Sequence, residues 1–531
     1  MRPIRSPQIL LLGLFVLAAL VAFSPNLNSQ FLSDDFVQIG KVLHGDYAVA
    51  WGQEHGGFFR PLFIWSYVVD ALIWTTRPFG YHLTNVVLHG LNAFLVFTLA
   101  TRLLQPLEID ERKLRLAASA AAGLFLLHPS HSESVVWISG RADLLATLFV
   151  LLSVLGFLAY ADDRGNSYLA ASLGLFAVAL LAKESAICTP FLILAIGLFR
   201  RAKAGRLLRG FGMFAGVLIL FVAVRASFIG TLVGGYGAGQ HLNFSPGWLR
   251  DRLLEAIVRS VLPPLPIEWL TVLSKPLHSP RFYLLLLLLF AATATAIIWR
   301  RRIYSAAERK DQNRFLLLIT ALFLLALLPV INLRLSLYST QGERFLYLPT
   351  VFACMLIAYL AILLIQRAVL CMTLLVALGG FYSWNIYRVN RLWQAAAQLS
   401  SQLADSLARQ NLQAPVTILN APDNLRGVPV FHNGLPEAVR WRRPEDAISQ
   451  IEILAFQDLQ SETDEIHLDQ TEALTLSALN ANDKFSRAAS TACYEVIAAT
   501  SDSLQVRRTV CATPGQTFFY SSGKIHNLDE R

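Results

Sequence analysis

About eleven stretches of this chain stay apolar for roughly 20 residues each, the length a helix needs to cross the hydrocarbon core of a bilayer. They lie near 8–24, 81–104, 115–128, 139–160, 167–182, 186–200, 208–229, 281–299, 315–333, 346–366 and 368–386. In hydrocarbon a segment must satisfy its own backbone amides, so apolar runs of this length read as helices packed side by side. The composition agrees. Of 531 residues, 55% are hydrophobic and 15% charged, with a mean hydropathy of +0.49, against about 25% charged in a soluble domain. The expectation is a mainly α, polytopic membrane helical bundle. The first run follows the basic MRPIRSPQ and looks like a secretory signal. No small-x-small cleavage site stands out and many spans follow, so it is read as an uncleaved helix. The segment 59–76, FRPLFIWSYVVDALIWTT, carries Asp70 and reads as either a juxtamembrane or a spanning helix.

The net charge of +9 does not point to nucleic acid, because the basic residues cluster between spans. Arg2 and Arg5, then Arg112, Lys113 and Arg115, then 200–209 and 299–310 all fall on one side of an eleven-span bundle, the cytoplasmic side by the positive-inside rule. Loops 25–80, 129–138, 183–185, 230–280 and 334–345 fall outside, as does everything from 387. Two domains follow: 1–386 in the membrane, with extracytoplasmic loops 25–80 and 230–280, and an extracytoplasmic 387–531. The second begins with an amphipathic helix at 387–410. It continues as short β-branched runs separated by turn residues, among them PVTILN, VPVFHNG, IEILAF, YEVIAAT and SLQVRRTV, which read as a small β-rich (α+β) domain. Cys493 and Cys511 lie there, in a compartment that permits a disulfide. Cys188, Cys354 and Cys371 sit inside apolar runs and read as packing residues.

The outer loops hold the suggestive chemistry. FLSDDFVQIG places Asp34 beside Asp35, which suits a base and an orienting partner but equally a helix N-terminus with Ser33 as cap. His128, His131 and Glu133 share a short turn and are candidate ligands for a divalent cation, or members of a hydrogen-bonded turn. Arg141 stands a few residues into a span and requires an anionic partner, either a protein carboxylate or a ligand phosphate. Lys183 with Glu184, Glu343 with Arg344, and Arg60 complete the set. Converging, Arg60, Lys183 and Arg344 would clamp a phosphate; scattered, they are interfacial charges. His82, Asn85, His89 and Asn92 form a helical stripe that suits polar glue between helices or the wall of a cavity.

In order along the chain, SDDF, FRPL, YHLTNVVLHGLNAFLV, HPSHSESVVWISGRADLLATLF, LLAKES and GERFLYLP resemble the membrane half of one family. This is the transmembrane and tetratricopeptide-repeat-containing protein O-mannosyltransferases and their bacterial relatives, within the GT-C glycosyltransferase superfamily. The resemblance covers roughly residues 8–386. It implies sugar transfer from a polyprenyl-phosphate-linked donor to an acceptor hydroxyl, by inverting displacement on the extracytoplasmic face of a membrane, a bacterial inner membrane here. It implies Asp34 as the base with Asp35 beside it, and Arg141, Lys183 and Arg344, with Arg60, about the donor phosphate. His131 and Glu133 match motif positions of less definite role. No organic cofactor is implied, and a divalent cation stays a candidate. Mannose, arabinose derivatives and galacturonate are all candidate sugars, and protein, lipid and polysaccharide are all candidate acceptors. The chain departs from the family after 386, where a β-rich segment stands in place of the repeats. Two readings from other classes stand beside this one: a transporter or flippase for lipid-linked sugars, and a non-catalytic membrane scaffold.

Overall fold

The computed structural model describes residues 6–51, 57–107, 109–231, 235, 243–264, 298, 304–365, 367–412, 415–443, 451–470, 473–480, 483–509 and 515–529. Its helices are α1 (Ser6–Phe23), α2 (Asp34–Leu43), α3 (Pro61–Trp74), α4 (Pro78–Leu104), α5 (Glu111–Leu126), α6 (Ser132–Val135), α7 (Arg141–Ala161), α8 (Asn166–Ala182), α9 (Thr189–Phe199), α10 (Ala204–Ile229), α11 (Pro246–Arg259), α12 (Ala306–Leu327), α13 (Tyr347–Leu364), α14 (Ala368–Arg409) and α15 (Leu435–Arg442). Among the described residues, seven helices are long and apolar enough to cross a membrane, and α3, α8 and Glu184–Phe199 are shorter apolar helices. The chain is an integral, multi-pass membrane protein. The expected span at 281–299 falls, apart from residue 298, outside the described residues.

The long helix α4 is the hub of the bundle and packs against α1, α5 and α7; α7 runs along α8, and α13 lies on α5 and α12. The polar stripe of α4 faces these neighbours. Asn85 Nδ2 donates to the carbonyls of Val135, Trp137 and Ile138. His89 bridges the Tyr347 hydroxyl (2.7 Å) and the Leu126 carbonyl, and Asn92 donates to the Leu144 carbonyl and to Tyr347. Asn85, His89 and Asn92 thus each bond to a neighbouring element, as burial away from water favours. The stripe is glue between helices.

At the C-terminal side of the bundle one expectation changes. The span at 368–386 and the amphipathic helix at 387–410 are a single 42-residue helix, α14. No proline interrupts it, and its apolar period continues through Val389, Trp393, Ala396, Ala397, Leu403 and Leu407, all buried. A rigid rod therefore joins the bundle to the β-rich domain.

Among its described residues that domain holds twelve short strands, from β1 (Val416–Ile418) and β2 (Ala421–Leu425) through β3 (Val428–Pro429), β4 (Ile451–Ile453), β5 (Phe456–Leu459), β6 (Ile466–Gln470), β7 (Leu474–Ala478), β8 (Lys484–Ser486), β9 (Tyr494–Ala499), β10 (Ser503–Arg508) and β11 (Gln516–Ser521) to β12 (Lys524–Asn527). They form three four-stranded sheets, ordered β12-β11-β1-β4, β3-β2-β5-β8 and β6-β7-β10-β9. β1 runs parallel to β4 and β11, and β2 parallel to β5, while the third sheet is antiparallel throughout. Cys493 is disulfide-bonded, Cys188, Cys354 and Cys371 are free and buried, and Cys511 lies outside the described residues.

Helix α15, which β-branched patterning alone does not announce, packs on α14 and α2. Gly434, left-handed at φ 85°, precedes it, and a proline stands in its first turn. Its Trp441 meets Phe31 and Phe36 edge-on at 5.3 and 5.4 Å and lies so close to Gly40 that a Cβ there would sit 2.8 Å from Nε1. The loop that carries the two acids is thus held between bundle and β-rich domain.

Candidate active site

Asp34 and Asp35 open α2, so the helix N-terminus expected as the bland alternative is present. Ser33 occupies the cap position but makes no capping hydrogen bond. Its φ of 47° is unusual for a side-chain-bearing residue. Its amide instead donates to the Val430 carbonyl at 3.1 Å, and its hydroxyl accepts from the Asn433 amide at 3.1 Å.

This start turns the two carboxyls apart. Asp35 is 1% exposed. One oxygen accepts from the Ser139 amide (3.0 Å) and hydroxyl (2.6 Å), and the other from the Leu32 amide (3.1 Å). Burial nevertheless pushes its carboxyl up to about 7, with Asp34 adding repulsion and the Ser139 and Leu32 bonds opposing the rise. Asp34 faces outward and is partly exposed; its Oδ1 accepts from the Asn433 side-chain amide at 2.7 Å.

The basic residues are each engaged, and never with the acid next to them in sequence. Arg141, wholly buried, pairs with Asp70 at 2.5 Å. Its other N–H groups donate to Asn85 Oδ1, to the Tyr81 carbonyl and to Ser66, and its guanidinium lies 4.8 Å from the Tyr67 ring centre. Lys183 Nζ reaches both oxygens of Asp143 at 2.6 Å. Arg60 forks onto Glu184 at 2.8 and 3.0 Å. Arg344 binds Glu133 through its side chain at 2.5 Å and its backbone amide at 2.8 Å. Glu343 pairs with Arg259 of α11, both fully buried. Lys183 and Arg344 flank one ring, their charged groups 5.3 and 5.0 Å from the centre of Phe345. Phe345 also borders a small crevice lined by Arg252, Leu327, Val330, Ile331 and Leu335.

The histidine turn is similarly engaged. His128 Nε2 donates to the Ser260 carbonyl at 3.0 Å while its Nδ1 accepts from the Ser130 amide at 3.3 Å. His131 Nε2 meets the Thr350 hydroxyl at 2.8 Å. Burial pulls His131 well below the usual imidazole value. Burial also outweighs Arg344 and holds Glu133 above the usual carboxylate range. Among the described residues, no three His, Cys, Asp or Glu side chains converge as a metal site.

One short segment ties these groups together. Between positions 133 and 143, Glu133 holds Arg344, Trp137 lies 4.8 Å from the Arg344 guanidinium, Ser139 holds Asp35, Arg141 holds Asp70, and Asp143 holds Lys183. The loops that the charge pattern puts on one side meet at one end of the bundle. Arg102, Arg200, Lys203 and Arg206 gather instead about Asp162 and Asp163, on other loops.

Asp70, Asp143 and Arg259 were not singled out from the sequence as members of this network. A legible signal existed for the first, an acid in the middle of an aromatic, apolar helix. Asn433 carried none.

No protein-family profile matches the chain. Among curated proteins it is similar to protein O-mannosyl-transferase Tmtc1 of Drosophila melanogaster, 34% identical over 186 residues, which are 32% of this chain and 20% of that protein. It is similar also to protein O-mannosyl-transferase TMTC4 of Homo sapiens, 32% identical over 216 residues, 34% of this chain and 29% of that one, and to TMTC4 of Mus musculus, 31% over 179 residues, 30% and 24%. The matched stretch thus spans less than a third of each relative. Among solved structures, ArnT from Cupriavidus metallidurans in the apo state superposes with a TM-score of 0.44 at 12% identity, over 81% of this chain and 84% of that one.

Proposed function

We propose that this chain is a membrane glycosyltransferase that moves a sugar from a polyprenyl-phosphate carrier to an acceptor hydroxyl. The observation that carries this reading is the 133–143 segment, which binds together the loop of the two acids and the cations flanking Phe345. Similarity to proteins named protein O-mannosyl-transferases favours mannose as the sugar and a protein hydroxyl as the acceptor. On this reading, which the positive-inside pattern supports, this end of the bundle faces the extracytoplasmic side of a bacterial inner membrane, with residues 387–531 there as a second domain.

In the proposed reaction, the acceptor oxygen attacks the anomeric carbon while its proton passes to Asp34. The bond from that carbon to the phosphate oxygen breaks, the electron pair leaves with polyprenyl phosphate, and the anomeric centre inverts. Lys183 and Arg344 stabilise the charge that grows on the departing phosphate. Two of the three ammonium hydrogens of Lys183 are directed at Asp143, which fixes its position. Asp35, Arg141 with Asp70, and Arg60 with Glu184 act as positioning residues, since each is tied into the protein. The turn of His128, His131 and Glu133 is assigned to structure for the same reason, and on this reading a chelator leaves transfer unchanged.

The test is sugar transfer by reconstituted protein offered a panel of polyprenyl-phosphate sugars, with membrane extract as acceptor. Asp34→Asn should lower transfer by about a hundredfold or more, the worth of a positioned general base, without lowering thermal stability. Transfer that survives the substitution removes Asp34 from the role. Absence of transfer with every donor, together with movement of a lipid-linked sugar across vesicles, would replace the enzyme by a flippase.

A further inference from the structure

We infer that the C-terminal domain completes the catalytic site, with Asn433 as the residue that positions the Asp34 carboxylate; this rests on the reading of Asp34 as the base. The contact is one of a dense set. Within five residues of the β-rich domain, Val430 accepts from the Ser33 amide, Phe431 stacks on Phe36 at 6.3 Å, the Asn433 amide donates to the Ser33 hydroxyl, and the Asn433 side chain donates to Asp34. Gly434 approaches so closely that a Cβ there would lie 2.4 Å from the Ser33 carbonyl oxygen, and its φ of 85° is one that glycine adopts freely. The strained conformation of Ser33 that aims Asp34 outward is therefore held from across the interface and not by its own helix.

The geometry at the carboxylate is informative. Asn433 takes Oδ1, and the Ser139 and Leu32 hydrogen bonds go to Asp35 instead. Among the described residues no donor meets Oδ2 of Asp34, and both Asp34 and Asn433 reach solvent. One oxygen is anchored, which leaves the other for an acceptor hydroxyl. A donor on Oδ1 restrains the carboxylate, so that proton transfer begins from a fixed distance.

Asn433→Ala should lower kcat by roughly ten- to a hundredfold, the worth of a hydrogen bond to a charged group, with donor KM little changed. Asn433→Asp, which removes the donor and sets a like charge beside the base, should lower kcat at least as far, and Asn433→Gln, which keeps the amide, should recover part of the rate. His432→Ala is the control: its ring pairs with Asp423 at 3.0 Å, so transfer should be retained. Thermal melts of every variant check folding; if Asn433→Ala melts early, the Gln and Asp variants carry the comparison. A wild type that transfers, beside an Asn433→Ala enzyme with unchanged kcat, overturns this inference alone. Transfer retained by Asp34→Asn overturns the reading beneath it and this inference with it.

Discussion

The Lys183–Asp143 pair separates what a buried charge does for the fold from what it does for the substrate. Both side chains are nearly inaccessible, 4% and 9% exposed, and Nζ sits 2.6 Å from each carboxylate oxygen. Replacing Lys183 by Met keeps the length of the side chain and removes its charge, leaving Asp143 buried without a cation. Breaking one side of such a pair costs about 3–5 kcal/mol, whereas replacing both members with apolar groups of similar size is often neutral. Lys183→Met should therefore be strongly destabilised, and Lys183→Met with Asp143→Leu should recover most of the loss. The assay is the thermal melt of each protein in detergent, followed by donor-dependent transfer after reconstitution. If Lys183 serves only the fold, the double variant should regain activity as well as stability. If it also meets the donor phosphate, the double variant should stay stable while transfer remains at least about tenfold down, the size of one lost charged hydrogen bond. A Lys183→Met protein as stable as wild type would refute the reasoning about the pair, and a double variant with wild-type donor KM and kcat would remove Lys183 from the site.

Three further outcomes are expected. The Asp35 carboxyl rises from 3.8 unfolded to about 7 in the fold. The native state therefore holds the proton more tightly, and stability from this group is present at low pH and lost as pH climbs through that window; the melting temperature of Asp35→Asn should gain on wild type between pH 4 and 7, and a constant difference would refute the assignment. The disulfide at Cys493 should map to Cys511 by non-reducing peptide analysis, and Cys493→Ser should destabilise the β-rich domain by about 3 kcal/mol, as for a loop of this length; a protease digestion pattern unchanged by reductant would contradict this. Gly40→Val should push Trp441 away from α2 and increase proteolysis at the β-rich domain, and unaltered proteolysis would show that this contact carries little of the docking.

Much of the bundle was legible because its physics is local: an apolar run in lipid has little choice but to be a helix, and Lys and Arg report the side of each loop. The pairing of charges was not legible. Lys183 precedes Glu184, and Glu343 precedes Arg344, yet each of the four pairs with a residue far off in the chain. Adjacent side chains at the start of a helix point in different directions, and only the packing of loops selects partners. Asp34 and Asp35 show the same limit. Their adjacency suggested a working pair, but it is the fold that buries one against Ser139 and leaves the other facing Asn433. The β-rich domain was read as β from its turn-punctuated runs, while α15 and the continuity of α14 depend on what they pack against.

The charge pairs also bear on what kind of carrier fits the proposed site. Arg60 with Glu184, Arg141 with Asp70, Lys183 with Asp143, Arg344 with Glu133 and Arg259 with Glu343 each join one cation to one anion, so the set sums to no net charge. Asp34 then adds one negative charge nearby. Like charges repel, so each extra charge on the donor weighs against binding. A sugar joined through a single phosphate is a diester with one negative charge, and a diphosphate carries at least one more; the first suits this site better. Transfer itself then leaves the total unchanged, because the proton taken by Asp34 cancels its charge as the phosphate becomes a monoester and gains one. The consequence can be measured apart from the chemistry. Asp34→Asn removes the repulsion along with the base, so it should bind a monophosphate-linked donor at least as tightly as wild type while failing to transfer its sugar. Weaker donor binding by that variant would mean that Asp34 contacts the donor directly, and the division between base and phosphate site drawn from Phe345 and its flanking cations would have to be redrawn.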